Sequence, residues 1–257
     1  MAEDDMVLVL PGALLVGLSL GLLGSGGSIL TVPILVYLVG QDEKVAIASS
    51  LAIVALISIA GSLQFVRERR VQWRTVVVFG IPGIVGTYMG AALSAYAPVG
   101  LQMLIFALVL LVASWFMLKP GSSEVCQRKT KVYEVGAEGF VVGLITGFVG
   151  VGGGFLIVPA LILLGGLAMQ QAVATSLVII ALKSIAGFAK YLEVIQAANL
   201  SIDWGVIGFF ATAGILGSLV GSYFACRISQ GKLKTGFGAL LIMVALFVLS
   251  QSVPELV

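Results

Sequence analysis

The sequence predicts an all-α membrane protein made of two inverted-topology repeats, each a broken-helix hairpin followed by three transmembrane helices. Three observations predict it: a shortage of charge, a series of apolar segments of bilayer length, and an internal match at a constant spacing. Of the 257 residues, 60% are hydrophobic and 10% charged, and the mean hydropathy is +1.15. A soluble domain carries roughly 25% charged residues. Too little polar material is present to cover a water-facing surface, so lipid must be the solvent over most of the chain.

Six apolar segments reach the roughly 20 residues that a bilayer requires: 45–66, 75–96, 99–118, 171–192, 203–225 and 233–250. Two further stretches, 6–39 and 137–166, are longer than one span and are interrupted by glycines. The interruptions read Gly24-Ser25-Gly26-Gly27-Ser28 and Gly150-Val151-Gly152-Gly153-Gly154. Glycine at that density is a poor helix interior, so each stretch predicts a helix, a break and a short second helix. From Ile29 to Val39 the second piece rises about 16 Å, half of a hydrocarbon core of about 30 Å.

The halves repeat. Gly21, Gly24, Gly26, Gly27, Leu30, Val32, Pro33 and Leu35 match Gly147, Gly150, Gly152, Gly153, Leu156, Val158, Pro159 and Leu161, a shift of 147 − 21 = 126. The same shift carries Ser58-Ile59-Ala60-Gly61 onto Ser184-Ile185-Ala186-Gly187. After a short insertion, Trp73, Gly83, Gly86 and Gly90 meet Trp204, Gly214, Gly217 and Gly221, a shift of 204 − 73 = 131. Apolar segments resemble one another by composition, but collinear Gly, Pro, Ser and Trp do not arise that way.

Basic residues decide whether the repeat is parallel or inverted, because they stay on the cytoplasmic side. If all eight elements cross once, Lys44, Arg227, Lys232 and Lys234 stand against nine basic residues on the other side. If the two broken stretches are hairpins, only Lys44 and Lys190 stand apart from eleven. The hairpin version sorts charge better and inverts the second repeat. It gives repeats over 1–118 and 134–257, a cytoplasmic linker over 119–133, both termini outside, and a multi-pass protein of the cell inner membrane. The acidic start, Met-Ala-Glu-Asp-Asp, argues against a signal peptide. Cys126 and Cys226 both fall on the cytoplasmic side and are expected to be free thiols.

Histidine is absent. That removes imidazole proton relays, His-dependent metal sites and Ser-His nucleophilic chemistry. No enzyme, cofactor or metal is expected, and no nucleic-acid partner. The expected partners are a small anionic substrate and the lipid bilayer, with a homodimer left open.

Inverted repeats with broken helices place substrate near the midplane, between half-helix ends. The short helices starting near Ile29 and Phe155 have unpaired N–H groups and positive dipole ends at Ser28 and Gly154. Such amides, reached through glycine, form an anion site. Ser25, Gly26, Gly27, Ser28, Gly152, Gly153 and Gly154 are therefore candidate substrate contacts. Gly26, Gly27, Gly152 and Gly153 are expected to face one central cavity, with the two tips meeting at half-depth. Lipid tolerates irregular backbone only around a cavity or inside protein. Gly86xxxGly90 and Gly217xxxGly221 read instead as helix-packing seams. Ser49-Ser50 and Thr175-Ser176, at equivalent positions, either donate to the anion or bond back onto their own helix. Lys183 lies midway along its span, where a lysine costs about 2.5–3.5 kcal/mol. Its mate is Ile57, so the duplication did not require a charge there. It either supports an anion in the cavity of Gly152–Gly154 or snorkels to an interface or carbonyl. Gln64 and its mate Lys190 sit near span ends and read as interfacial.

The motif Gly24-Ser25-Gly26-Gly27-Ser28-Ile29-Leu30-Thr31-Val32-Pro33 and its partner Gly150-Val151-Gly152-Gly153-Gly154-Phe155-Leu156-Ile157-Val158-Pro159 resemble the paired signatures of the TauE/SafE sulfite-exporter-like permeases. The Ala-Ser-Ser and Ala-Thr-Ser triplets that follow are similar as well, and the resemblance covers essentially the whole chain. It implies a secondary transporter, an exporter or facilitator, for sulfite, an organosulfonate or a related small sulfur-containing oxyanion. Ser28 stands where the second copy has Gly154, which breaks strict symmetry. An anion channel of the same fold is the alternative.

Overall fold

The computed structural model describes residues 3–94, 99–118, 132–149, 154–163, 165–197 and 200–252, and among them all regular structure is helical. The helices are α1 (Glu3–Leu23), α2 (Gly26–Pro33), α3 (Glu43–Arg67), α4 (Trp73–Ser94), α5 (Val99–Leu118), α6 (Val132–Val149), α7 (Gly154–Leu163), α8 (Met169–Ala197), α9 (Trp204–Ala225) and α10 (Gln230–Ser252). Three of them carry described stretches long and apolar enough to cross a membrane: Lys44–Arg67, Met169–Ala189 and Trp204–Ala225. Cys126 and most of the expected linker lie outside the described residues.

Local chemistry sets the helix ends. Asp42 caps α3 by accepting the Lys44 N–H at 3.0 Å. Asp203 caps α9, accepting from Gly205 N–H at 2.8 Å and Val206 N–H at 3.2 Å. These carboxylates satisfy amides that a helix start leaves without partners. Beyond Pro33 the chain widens into one π-turn over Ile34–Leu38, with Val39 N–H reaching Ile34 O at 3.2 Å. Between α3 and α4 the loop turns through Arg69, whose φ of 54° is a left-handed conformation.

The centre is an antiparallel pair, α3 and α8. A Cβ at Gly61 would lie 3.8 Å from Leu177 Cδ1, and one at Gly187 3.4 Å from Leu51 Cδ1. Both contacts join the same two repeat positions with the halves exchanged. Val45 and Ala48 at the start of α3 share a buried cluster with Ile195 near the end of α8. α1 runs along α9 and α6 along α4, each pair joining the two halves, while α5 packs on α10. These long interfaces are closed by small residues. A Cβ at Gly17 would overlap the backbone of Gly214, and one at Gly143 that of Gly83, the equivalent pair. Likewise Gly86 and Gly90 lie against the α6 backbone at Phe140 and Leu144, and Gly217 and Gly221 against α1 at Leu14 and Leu18. The two GxxxG motifs are packing seams, as their sequence suggests.

Large apolar side chains face outward along α4 (Val77, Ile81, Val85), α5 (Leu108, Val112) and α9 (Leu216, Leu219, Val220). Such a continuous apolar exterior is what lipid covers. The equivalent Trp73 and Trp204 are both exposed and open α4 and α9. Because α3 and α8 run antiparallel, these tryptophans mark opposite ends of the bundle, where an aromatic belt meets headgroups.

Candidate functional site

The first break is shorter than its glycines suggest. Only Gly24 and Ser25 are non-helical, and α2 already begins at Gly26. The expected start near Ile29 is thus three residues late. One positive φ, +77° at Gly24, reverses the chain, after which Gly26 and Gly27 can enter a helix. A side chain at Gly24 would also collide with α8, since a Cβ there lies 2.7 Å from Ser176 Oγ and 2.9 Å from Val173 Cα. The Ser25 side chain is buried and does not cap α2.

The expectation that Gly27 lines an open cavity is corrected. Its Cα face is pressed onto α1, where a Cβ would overlap Val16 O and Leu20. Only its backbone can serve a ligand. Gly26 and Ser28 lie in the first turn of α2. Gly154 is buried at the start of α7, one residue ahead of the expected start. Gly152 and Gly153 lie outside the described residues.

The four expected hydroxyls divide. Ser176 Oγ–H is directed at Gly24 O at 3.0 Å and Val173 O at 2.9 Å, tying the tip of the first hairpin to α8. Thr175 Oγ1 accepts the Gln72 N–H at 3.1 Å, which fixes the start of α4. Ser50 Oγ–H returns to Ile47 O at 2.7 Å. Ser49 is fully buried, and its hydroxyl has no hydrogen-bond partner. A buried hydroxyl left unpaired costs about 1–3 kcal/mol, so among the four Ser49 alone is unused.

Lys183 is buried at 6% exposure and turned away from lipid. Its ammonium donates to Thr146 Oγ1 on α6 over a long 3.4 Å, and Thr146 in turn donates to Gly143 O at 3.0 Å. Among the described residues, the one ion pair joins Arg70 and Glu68, so Lys183 has no carboxylate partner. Thr146 stands three residues before the end of α6, next to the second break. Ser176 lies about 10 Å along α8 and Lys183 about 21 Å, at 1.5 Å per residue. The tip of the first hairpin is therefore roughly 10 Å from the level of Lys183. The first hairpin thus passes the midpoint of α8 and α2 touches α7, while the tip of the second hairpin, 150–153, and with it the expected meeting of the tips at half-depth, lies outside the described residues.

Thr146 is the residue that sequence reasoning missed, although the repeat could have shown it. Its mate is Leu20 and the mate of Lys183 is Ile57, both fully buried and aliphatic. The second half has a polar pair where the first has a hydrocarbon pair.

A second polar cluster closes the end of the bundle where α3 finishes and α8 begins. Arg70 Nη1–H donates to Gln170 Oε1 at 2.5 Å and Arg70 Nε pairs with Glu68 Oε2 at 2.7 Å. Gln170 Nε2–H donates to Ala225 O and Cys226 O at 3.4 and 3.5 Å. Gln64, expected at an interface, accepts from Ser222 at 3.1 Å and donates to Glu68 at 3.3 Å. Cys226 is a free thiol 3.4 Å from Glu68 Oε2. At the opposite end, a cavity of about 260 Å³ opens between Val39, Gln41, Asp42 and Val45 on one side and Ser201, Asp203 and Val206 on the other.

A family model described as Sulfite exporter TauE/SafE matches residues 9–248. A protein of Xylella fastidiosa named a probable membrane transporter protein is 31% identical over the whole of both chains. A probable membrane transporter protein of Methanocaldococcus jannaschii is 26% identical over 96% of this chain and 98% of its own length. No solved structure matches.

Proposed function

Since this chain belongs to the TauE/SafE sulfite-exporter family of membrane transporters, we propose that it moves a small sulfur-containing oxyanion, sulfite or an organosulfonate, by alternating access between its two repeats. One observation carries the proposal. Among the described residues, a buried ammonium, Lys183, stands beside the second helix break with a hydroxyl as hydrogen-bond partner and no carboxylate. A charge in that position is costly unless an opposite charge visits it. An anion would find the Lys183 ammonium and the first-turn amides of α7 from Gly154, with the amides of α2, about 10 Å away along α8, as a second stop on its path. The expected contacts Ser25, Gly26, Ser28, Ser49, Gly152 and Gly153 stay part of this proposal. Thr175, Ser176 and Ser50 act as struts, given their backbone bonds.

Two-fold exchange of contacts supports the inverted repeat: Gly61 with Leu177 and Gly187 with Leu51 across antiparallel helices. On that reading the end carrying Arg67, Arg69, Arg70 and Arg74 faces the cytoplasm. A bundle tied by side-chain bonds at one end, with a cavity between loops at the other, supports a carrier over a channel. A thermal-shift screen of purified protein against sulfite, sulfate, thiosulfate, sulfoacetate and chloride tests the function. Stabilisation by sulfite or sulfoacetate at concentrations where chloride does nothing is expected. Equal response to all five would remove the proposal.

A further inference from the structure

We infer that the Arg70–Gln170 clasp with Thr175 is the gate at one end of the transport path, and that the equivalent position around Ser49 and Asp203 is the gate at the other, the two closing in turn. The inference rests on the transporter reading above. Repeat equivalence carries it. Thr175 corresponds to Ser49 and Gln72 to Asp203. At the first end the loop following α3 lies on the start of α8: Thr175 takes the Gln72 N–H at 3.1 Å, and Arg70 reaches Gln170. At the second end Leu200 and Ile202 still pack on Val45 and Ala48, but the polar bond of the first end is missing. Asp203 and Asp42 line opposite sides of a cavity of about 260 Å³, and the Ser49 hydroxyl, one turn beyond Val45, has no partner.

One hydroxyl of an equivalent pair is thus engaged and the other empty. If the halves exchange conformations, Ser49 accepts the Asp203 N–H while Thr175 releases Gln72 and the clasp opens. Each state leaves one buried hydroxyl unsatisfied, so the two states carry matched costs and neither becomes a trap. The contacts across the first end are side-chain bonds from a short loop held at Arg69 in a left-handed conformation. Opening this end also lifts Val71, which the same loop buries in the apolar core.

Cys226 reports the gate, because its thiol bonds Glu68, the carboxylate that Arg70 also holds. The measurement is the rate of N-ethylmaleimide labelling of Cys226 in the full chain in detergent, with Cys126 replaced by serine. Arg70→Ala and Thr175→Val should each label about fivefold faster or more. Loss of Arg70 alone would raise the thiol pKa and slow labelling, so acceleration cannot come from that charge. Ser49→Ala should do the reverse, slowing labelling below the parent protein by removing the acceptor that holds the opened state. Arg70→Ala and Thr175→Val change no proposed ligand contact, Ser49→Ala is read for its labelling sign alone, and labelling needs no substrate. A failed sulfite screen with the labelling signs intact would therefore overturn the substrate and leave the gate. Labelling rates equal to the parent in Arg70→Ala and Thr175→Val, or acceleration in Ser49→Ala, overturn the gate.

Discussion

Lys183 donates to Thr146 over 3.4 Å in the interior of the second half, and the repeat mates of the two, Ile57 and Leu20, are both fully buried hydrocarbon in the first. The duplication therefore has a built-in control. Two residues convert an apolar core position into a polar one beside a broken helix, and the first half shows that the fold does not need them.

Transplanting the first half's residues should separate stability from function. Thr146→Leu with Lys183→Ile removes a buried charge whose insertion costs about 2.5–3.5 kcal/mol. The double variant should unfold several degrees higher than the parent and lose the stabilisation that sulfite gives. Thermal unfolding with and without sulfite checks both halves of the expectation. A lower melting temperature would mean that the pair is structural.

The glycine seams should tolerate nothing larger. A Cβ at Gly86 or Gly217 would overlap the backbone of the neighbouring helix, so Gly86→Val and Gly217→Val should each cost about 3 kcal/mol or more. At Gly208 and Gly236 a Cβ would meet nothing within 4 Å. Alanine there should be neutral or slightly stabilising by its helix propensity. Size-exclusion profiles and melting temperatures of the four variants make the comparison.

Much of this architecture is written in local chemistry. Gly24, with its positive φ, and the paired Trp73 and Trp204 are collinear marks of the repeat because each residue type answers a backbone or interface demand. The start of α2 was less legible: Gly26 and Gly27 read as part of the break, yet one left-handed residue suffices for the reversal, and Gly27 serves packing on α1. The clasp left no trace in the sequence. Arg70 and Gln170 are 100 positions apart, and only the antiparallel crossing of α3 and α8 brings them together. Likewise nothing local distinguishes Ser49, unpartnered, from Thr175, engaged, since that difference belongs to one conformation of the whole bundle.

The thiol at Cys226 should have a shifted pH profile. Burial pushes its pKa up, and the hydrogen bond and negative charge of Glu68 push it further, while Arg70 opposes them. Maleimide labelling should thus rise at higher pH than for an ordinary thiol. Glu68→Gln removes a charge that disfavours the thiolate, so its profile should move to lower pH. A shift to higher pH would contradict the assignment of Glu68.

Topology follows from the opposed ends of α3 and α8. In a cysteine-free background, Ser201→Cys should be labelled by a membrane-impermeant maleimide added to intact cells. Arg69→Cys should be labelled only after the membrane is opened. Both labelling from the same side would contradict the inverted repeat.

The most direct test of the central claim is sulfite counterflow in proteoliposomes loaded with unlabelled sulfite, comparing the parent protein with Lys183→Arg and Lys183→Ala. A full charge about 4 Å from an anion is worth roughly 4 kcal/mol at the screening typical of protein surfaces, so its loss should dominate. The account predicts saturable counterflow in the parent, a reduced rate with arginine, and background flux with alanine at equal amounts of folded protein. Counterflow by Lys183→Ala equal to that of the parent would contradict it.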